Sequence, residues 1–259
     1  MLGLLKKGKV LLFRRKKIVA IITVLLVIAI FVAVNQPKIV GASATTRKLP
    51  IYSVQRDQKV VSLSFDAAWG NEDTELLISI LGKYNVKATF FVVGEWVDKY
   101  PESVKALADA GHEIMNHSDD HAHFSKLSTE QIISNITSCN EKIAAITGTV
   151  PTLFRAPYGE YDDNVISTIE AMGMYTIQWD VDSLDWKEIS APEITSRVTG
   201  KVQPGSIVLF HNAAVHTPEA LPGIIENLIG EGYSIIPISE IIYYDRYVMD
   251  HTGKQMPDF

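Results

Sequence analysis

The chain has a single cysteine, Cys139, among 259 residues. No intrachain disulfide can form, and no cysteine metal cluster is available. Cys139 lies in a stretch of helical period, where a lone thiol packs as a small apolar group. Acidic residues are absent from the first seventeen positions, which carry Lys6, Lys7, Lys9, Arg14, Arg15, Lys16 and Lys17. Basic clusters are in turn absent beyond residue 48. Past residue 17 there remain 17 basic against 30 acidic residues, a balance near −13. Polyanion binding rests on Lys and Arg clusters that neutralise phosphates, so nucleic acid is excluded and a neutral or cationic substrate fits better. No glycine-rich dinucleotide fingerprint or Walker phosphate loop follows any predicted strand, which argues against nucleotide cofactors.

One long apolar run is present, Ile18 to Val34, seventeen residues without a charge. That is near the lower limit for a helix spanning a bilayer, and the basic flank stays cytoplasmic, placing the remainder outside. The run exceeds a signal core of roughly 7 to 15 residues. The expectation is therefore an uncleaved single-pass anchor in the cell membrane, with residues 1–17 as a cytoplasmic tail and 18–34 as the span. Secretion after cleavage near Gly41-Ala42-Ser43-Ala44 is the alternative. Residues 35–56 lack helical period and carry Pro, Gly, Ser and Thr, the composition of a stalk. A domain over 57–248 follows, then a loose tail over 249–259. Roughly 225 residues outside the membrane are enough to build a core without staples. Nothing in the composition speaks to oligomeric state.

From Val60 onward, short β-rich runs alternate with amphipathic stretches of helical length, the pattern of βα units around a parallel sheet. The runs predict strands over Val60–Ala67, Ala88–Gly94, Glu113–His117, Leu153–Ala156, Tyr175–Asp182, Ser206–His211 and Tyr233–Ile238. Helices are predicted over Asp73–Tyr84, Glu102–Ala110, Thr129–Ile146, Asp163–Met172, Pro192–Val202 and Pro218–Ile229. Ser128 with Gln131 makes a capping box, and Asp73 and Thr217 are placed to cap their helices. Gly111, Gly148, Gly173 and Gly230 suit helix stops. About seven βα units suggest an α/β fold, a distorted or incomplete (β/α) barrel; an open doubly wound sheet is the alternative.

Asp66, His117, Arg155, Asp182 and His211 each stand where a predicted strand ends. The carboxyl ends of parallel strands converge on one face, where such folds keep their active sites, so the chain reads as an enzyme. His117 and His121 present two imidazoles four residues apart, a spacing that serves one metal ion on a tight turn. Asp66 has two readings, a helix cap and a general base held ionised by a cation such as Arg155. Residues Trp179 to Trp186 gather three carboxylates and two indoles, a mixture suited to sugars. His211 could protonate a leaving group if a carboxylate orients it.

In that order, SFDAAWG, NHSDDH, RAPYG, DSLDW and IVLFH closely resemble the five motifs of the polysaccharide deacetylases, the NodB-homology carbohydrate esterases. The resemblance covers roughly Val60 to Ile242, nearest to membrane-anchored peptidoglycan or sporulation-associated deacetylases of Gram-positive bacteria. It implies removal of N-acetyl groups from amino sugars of cell-wall glycan, peptidoglycan or chitin-like, with a divalent metal, zinc above all. By position, Asp66 matches the catalytic base and Arg155 its partner, while His117 and His121 match the histidine metal ligands. The Tyr158 amide would hold the oxyanion, Asp185 would orient the general acid His211, and Trp186 and Leu209 would wall the pocket for the acetyl methyl.

One departure stands out. The family has two successive aspartates in the first motif, the second a metal ligand, and this chain has Ala67 there. A methyl group cannot coordinate a cation. Water, Glu72, Asp73 or Asp66 are the candidates to fill the site, or it holds no metal. The alternatives to an active deacetylase are thus a catalytically silent glycan-binding or signalling homologue, and a hydrolase of another carbon–nitrogen bond.

Overall fold

The computed structural model describes residues 47–258. The basic tail, the apolar run Ile18–Val34 and residues 35–46 of the expected stalk lie outside the described residues. Among the described residues, no helix is long and apolar enough to cross a membrane.

All seven predicted strands occur, at β2 (Val60–Ala67), β3 (Thr89–Val92), β4 (Glu113–Asn116), β5 (Leu153–Phe154), the pair β6 (Tyr175–Thr176) and β7 (Val181–Asp182), β8 (Ser206–His211) and β9 (Ser234–Ile235). They pair in parallel, in the order β8-β2-β3-β4-β5-β6, with β9 beside the start of β2. The stretch expected as one strand over 175–182 is broken. Its first half pairs with β5 and its second half with β8. This curls the sheet into an incomplete barrel rather than an open doubly wound sheet.

The six predicted helices are α1 (Thr74–Lys83), α3 (Pro101–Asp109), α4 (Thr129–Thr147), α5 (Asp163–Ala171), α6 (Ala191–Thr199) and α7 (Thr217–Gly230); the short α2 (Gly94–Lys99) and α8 (Ile238–Ile241) are additional. Helix α4 shows why the pattern was legible. Its Ser128–Gln131 capping box forms, Ile132, Ile136, Cys139 and Ile143 are its buried face, and Gly148 stops it at φ 73°. Cys139 is fully buried in that face, as a packing thiol would be.

Three local expectations give way. Asp73 begins α1 without a side-chain cap bond; its Oδ2 instead accepts the Ala213 N–H at 2.9 Å. Thr217 is the first residue inside α7 rather than its cap, and its hydroxyl has another partner. Gly230 is still helical, and the left-handed turn falls at Gly232 (φ 88°).

Both chain ends of the domain also differ from expectation. Ser53–Val54, assigned to the stalk, is β1, antiparallel to β8, and Val54 is fully buried. Lys254–Pro257, assigned to the loose tail, is β11; it runs parallel to β1 and pairs with β10 (Tyr247–Met249). Ser53-Val54 and Lys254-Gln255-Met256-Pro257 carry no apolar, β-rich run of the kind that marks the other strands, so only their pairing reveals them.

Strand alternation sorts the core into two layers. Val61, Leu63, Phe65, Val208 and Phe210 face the surrounding helices, while Phe91, Met115, Leu153, Ile177 and Ile207 pack together on the opposite, inner face. Ser64, Asp66, Leu209 and His211 continue the inner face toward the carboxyl ends. There the apolar filling gives way to polar groups.

Candidate active site

Asp66 is the penultimate residue of β2 and is 6% exposed. Oδ1 accepts a hydrogen bond from Arg155 Nη1 at 2.8 Å, and Oδ2 stands 3.6 Å from His117 Nε2. Burial opposes ionisation, yet the Arg155 and histidine charges outweigh it and hold the Asp66 carboxyl below its usual range. Arg155 is itself fully buried, donates through Nη2 to Ser64 Oγ (2.9 Å) and the Gln178 carbonyl (3.2 Å), and lies 4.2 Å over the Phe91 ring. A guanidinium in that setting cannot act as the surface salt bridge a strand-end arginine often makes. It fixes the base.

His117 follows β4, and its Nδ1 is 2.8 Å from the Arg155 carbonyl oxygen. A carbonyl only accepts, so Nδ1 carries the proton and Nε2 keeps its lone pair for the cavity. His121 lies 5.2 Å away, ring to ring. Burial pushes the His117 pKa down, and burial with the neighbouring His117 pushes that of His121 to about 4. Both rings are neutral at pH 7, the form that binds cations.

His211 ends β8, and its Nδ1 bonds Asp185 Oδ1 at 2.8 Å. Asp185 is 1% exposed and accepts three more hydrogen bonds, from the His211 and Trp186 amides and the Thr217 hydroxyl, each at 2.8 Å. Burial works against the imidazolium, but Asp185, with Asp66 and Asp182 beyond it, keeps the His211 pKa above its ordinary value. This is the environment of a proton donor.

These groups open onto one cavity of ≈ 340 Å³. Asp66, His117, His121, Tyr158, Trp186, Leu209 and His211 line it, with Trp69, Gly159, Trp179 and Asp182 completing the wall. Arg155 and Asp185 stand behind the lining as partners. Tyr158 has φ 59° and ψ 7°, and its ring lies between His121 (4.6 Å, edge-on) and His123 (4.4 Å, stacked). Ser118, His121, Leu184 and Ala213 in the neighbouring strand-end loops also have positive φ. Such non-glycine backbones cost about 1–3 kcal/mol each and collect where a site demands a fixed shape.

Ala67 is 1% exposed and packs in the outer core layer. Neither Glu72 nor Asp73 lines the cavity, and Asp73 Oδ2 is engaged with the Ala213 amide. Among the described residues, no group of three His, Cys, Asp or Glu side chains is placed to hold a metal. The donors therefore fit a two-imidazole cation site completed by water, and fall short of the three protein ligands of a hydrolytic zinc.

Sequence reasoning missed Thr217, Ser64 and Gln178 as partners of site residues. It placed Trp69 beside Asp66 without giving it a role. Thr217 carried a signal, a threonine before proline, that capping explained equally well.

The sequence profile of the polysaccharide deacetylases matches residues 53–177. The peptidoglycan-N-acetylmuramic acid deacetylase PdaA of Bacillus subtilis is 30% identical over 190 residues, 72% of each chain. The chain belongs to the polysaccharide deacetylase family. Among its relatives, the peptidoglycan-N-acetylglucosamine deacetylase PgdA of Listeria monocytogenes is 34% identical over 81% of this chain and 45% of its own. The chain thus spans about half the length of some curated relatives it matches. Family members also include a solved CE4 family pseudoenzyme from Bacillus anthracis, 34% identical, with TM-score 0.72 over 81% of this chain and 73% of the other. A mutant of that protein, 36% identical with the same TM-score over 79% and 72%, is described as having restored enzymatic activity.

Proposed function

We propose that this protein is an N-deacetylase of amino sugars in cell-wall glycan, peptidoglycan or a chitin-like chain. The observation that carries it is the pair of dyads, Asp66–Arg155 and His211–Asp185, whose Asp66 and His211 stand on adjacent strands and line one cavity. Asp66, ionised beside Arg155, takes the proton of the water that attacks the acetamide carbonyl. The Tyr158 amide donates to the oxyanion that forms. His211 gives its proton to the departing sugar amine as the carbon–nitrogen bond breaks, leaving acetate. Trp186 and Leu209 enclose the acetyl methyl.

His117 and His121 would hold a divalent cation, zinc by preference, and such an ion supplies carbonyl polarisation and a more acidic water. Two protein ligands imply weaker retention than three. The same proposal places the domain outside the cell membrane on the anchor at 18–34, where peptidoglycan lies.

Ala67 favours a second reading, a glycan-binding homologue that has lost turnover, and a CE4 family pseudoenzyme is among the relatives. Acetate release from chitooligosaccharides or peptidoglycan, with added zinc or cobalt, separates the two. Release supports the deacetylase. Chelator-insensitive glycan binding, with no release from any substrate by folded protein, overturns it in favour of the silent homologue.

A further inference from the structure

Trp69 sits on the cavity rim, and its side chain is 59% exposed. A lone exposed indole is ordinary on a protein surface and asks for no explanation. What sets Trp69 apart is how its backbone is held. The carbonyl oxygens of Trp69 and Gly70 accept hydrogen bonds from Trp96 Nε1, at 2.9 and 2.7 Å, and from Asn212 Nδ2, at 2.6 Å each. Asn212 Oδ1 takes the Ala68 N–H at 3.2 Å. Both clamping side chains are buried, Trp96 at 2% and Asn212 at 5% exposure. Gly70 turns at φ +26°, where a Cβ would stand 3.2 Å from that of Ala213. Two buried side chains thus fix a short turn whose only projecting large group is an indole, tilted against His121 at 5.3 Å.

The size of the cavity says what the indole faces. At ≈ 340 Å³ it stands at the low end of the roughly 300–1,000 Å³ range of small-molecule sites, which suits one sugar and not a chain. Neighbouring sugars must lie on the rim. The lining includes the carboxylates of Asp66 and Asp182 and no Lys or Arg, so the rim suits a neutral ring rather than an anionic one. The C–H face of a pyranose is apolar with partial positive hydrogens, the complement of an indole face.

We propose that Trp69 is a specificity-determining residue, whose indole stacks on the neutral amino sugar next to the one whose acetamide enters the cavity. The site then prefers chains to single sugars. The proposal rests on the glycan-deacetylase reading above and names the feature of the substrate that the rim selects.

The test is calorimetric binding of N-acetylglucosamine and of its β-1,4-linked dimer to tetramer, using the full-length chain in detergent, with Trp69→Ala and Trp69→Phe beside the wild type. The wild type is expected to bind the tetramer more tightly than the monomer. Trp69→Ala should lose about 3- to 10-fold of tetramer affinity and much less of monomer affinity, and Trp69→Phe should recover most of it. Tetramer binding unchanged in Trp69→Ala, with wild type and variant folded and binding, overturns this inference alone. A wild type that neither binds nor deacetylates any oligosaccharide overturns the glycan reading itself, and the role of Trp69 with it.

Discussion

Asp66 and His211 are register partners on adjacent parallel strands, β2 and β8. Side chains paired in this way point to the same face of a sheet, so the Asp66 carboxylate and the His211 imidazole share one cavity through backbone geometry alone. Replacing either removes one proton transfer. Asp66→Asn and His211→Ala are each expected to lower kcat about 10²- to 10⁴-fold while KM changes little, as measured by acetate release. A fall in kcat of less than tenfold in both would contradict the assigned roles.

Arg155 is fully buried and has Asp66 as its carboxylate partner. Asp66→Leu leaves that charge uncompensated and is expected to cost about 3–5 kcal/mol in urea unfolding. The double change Asp66→Leu with Arg155→Met should recover most of the loss, because the lone charge goes with its partner. If the double variant is as unstable as the sum of the singles, the pair is not coupled.

Thr217 donates its hydroxyl to Asp185 Oδ2, the oxygen that also receives the His211 amide. Thr217→Val removes a hydrogen bond to a buried charge, worth about 1.5–3 kcal/mol, and frees the carboxylate to rotate. Lower thermal stability and a several-fold fall in kcat should appear together. Thr217→Ser, which keeps the hydroxyl, should restore both.

His112 is buried, accepts the Ala88 N–H at Nδ1 (3.2 Å), and has its pKa pushed to about 4 by burial and by Lys87. Between its unfolded value of 6.5 and about 4, the unfolded chain binds the proton and the folded chain does not. Stability is thus complete above pH 6.5 and falls as the pH drops through this window, by up to about 3 kcal/mol. His112→Asn should flatten this part of the profile in urea unfolding between pH 7 and 4.5. Identical slopes in variant and wild type would remove His112 as the cause.

Ala67 stands where the resemblance implies a metal-binding aspartate. Ala67→Asp buries a carboxylate, so the metal-free variant should melt at a lower temperature than the wild type. Added zinc should raise its melting temperature more than that of the wild type, because at the last residue of β2 the new carboxylate leaves the outer layer, where its burial is costly, for the two imidazoles, and ligand binding adds stability by mass action. An equal zinc response in both would show that residue 67 does not reach the ion.

Apolar, β-rich runs alternating with amphipathic stretches were enough to locate seven strands and six helices, the helices because nine or more residues repeat their apolar face. The five motifs were legible for a related reason: each is a short contiguous string at a strand end. What failed was short or non-local. The pairings of Ser53–Val54 and Lys254–Pro257 join segments about 200 residues apart and leave no periodic trace. Thr217 and Asp73 looked like helix caps locally, and only the approach of Asp185 and Ala213 from other loops gave their oxygens different partners.

By itself the sequence determined the alternation of strands and helices, the five motifs of the family, and an alanine at position 67 in the first of them, since each is written in neighbouring residues. The tertiary structure alone decided that the sheet curls into an incomplete barrel, that Asp66 and His211 face one cavity, and that Trp69 is clamped on its rim. Those outcomes depend on strand register and on hydrogen bonds between distant segments, which are set when the chain packs.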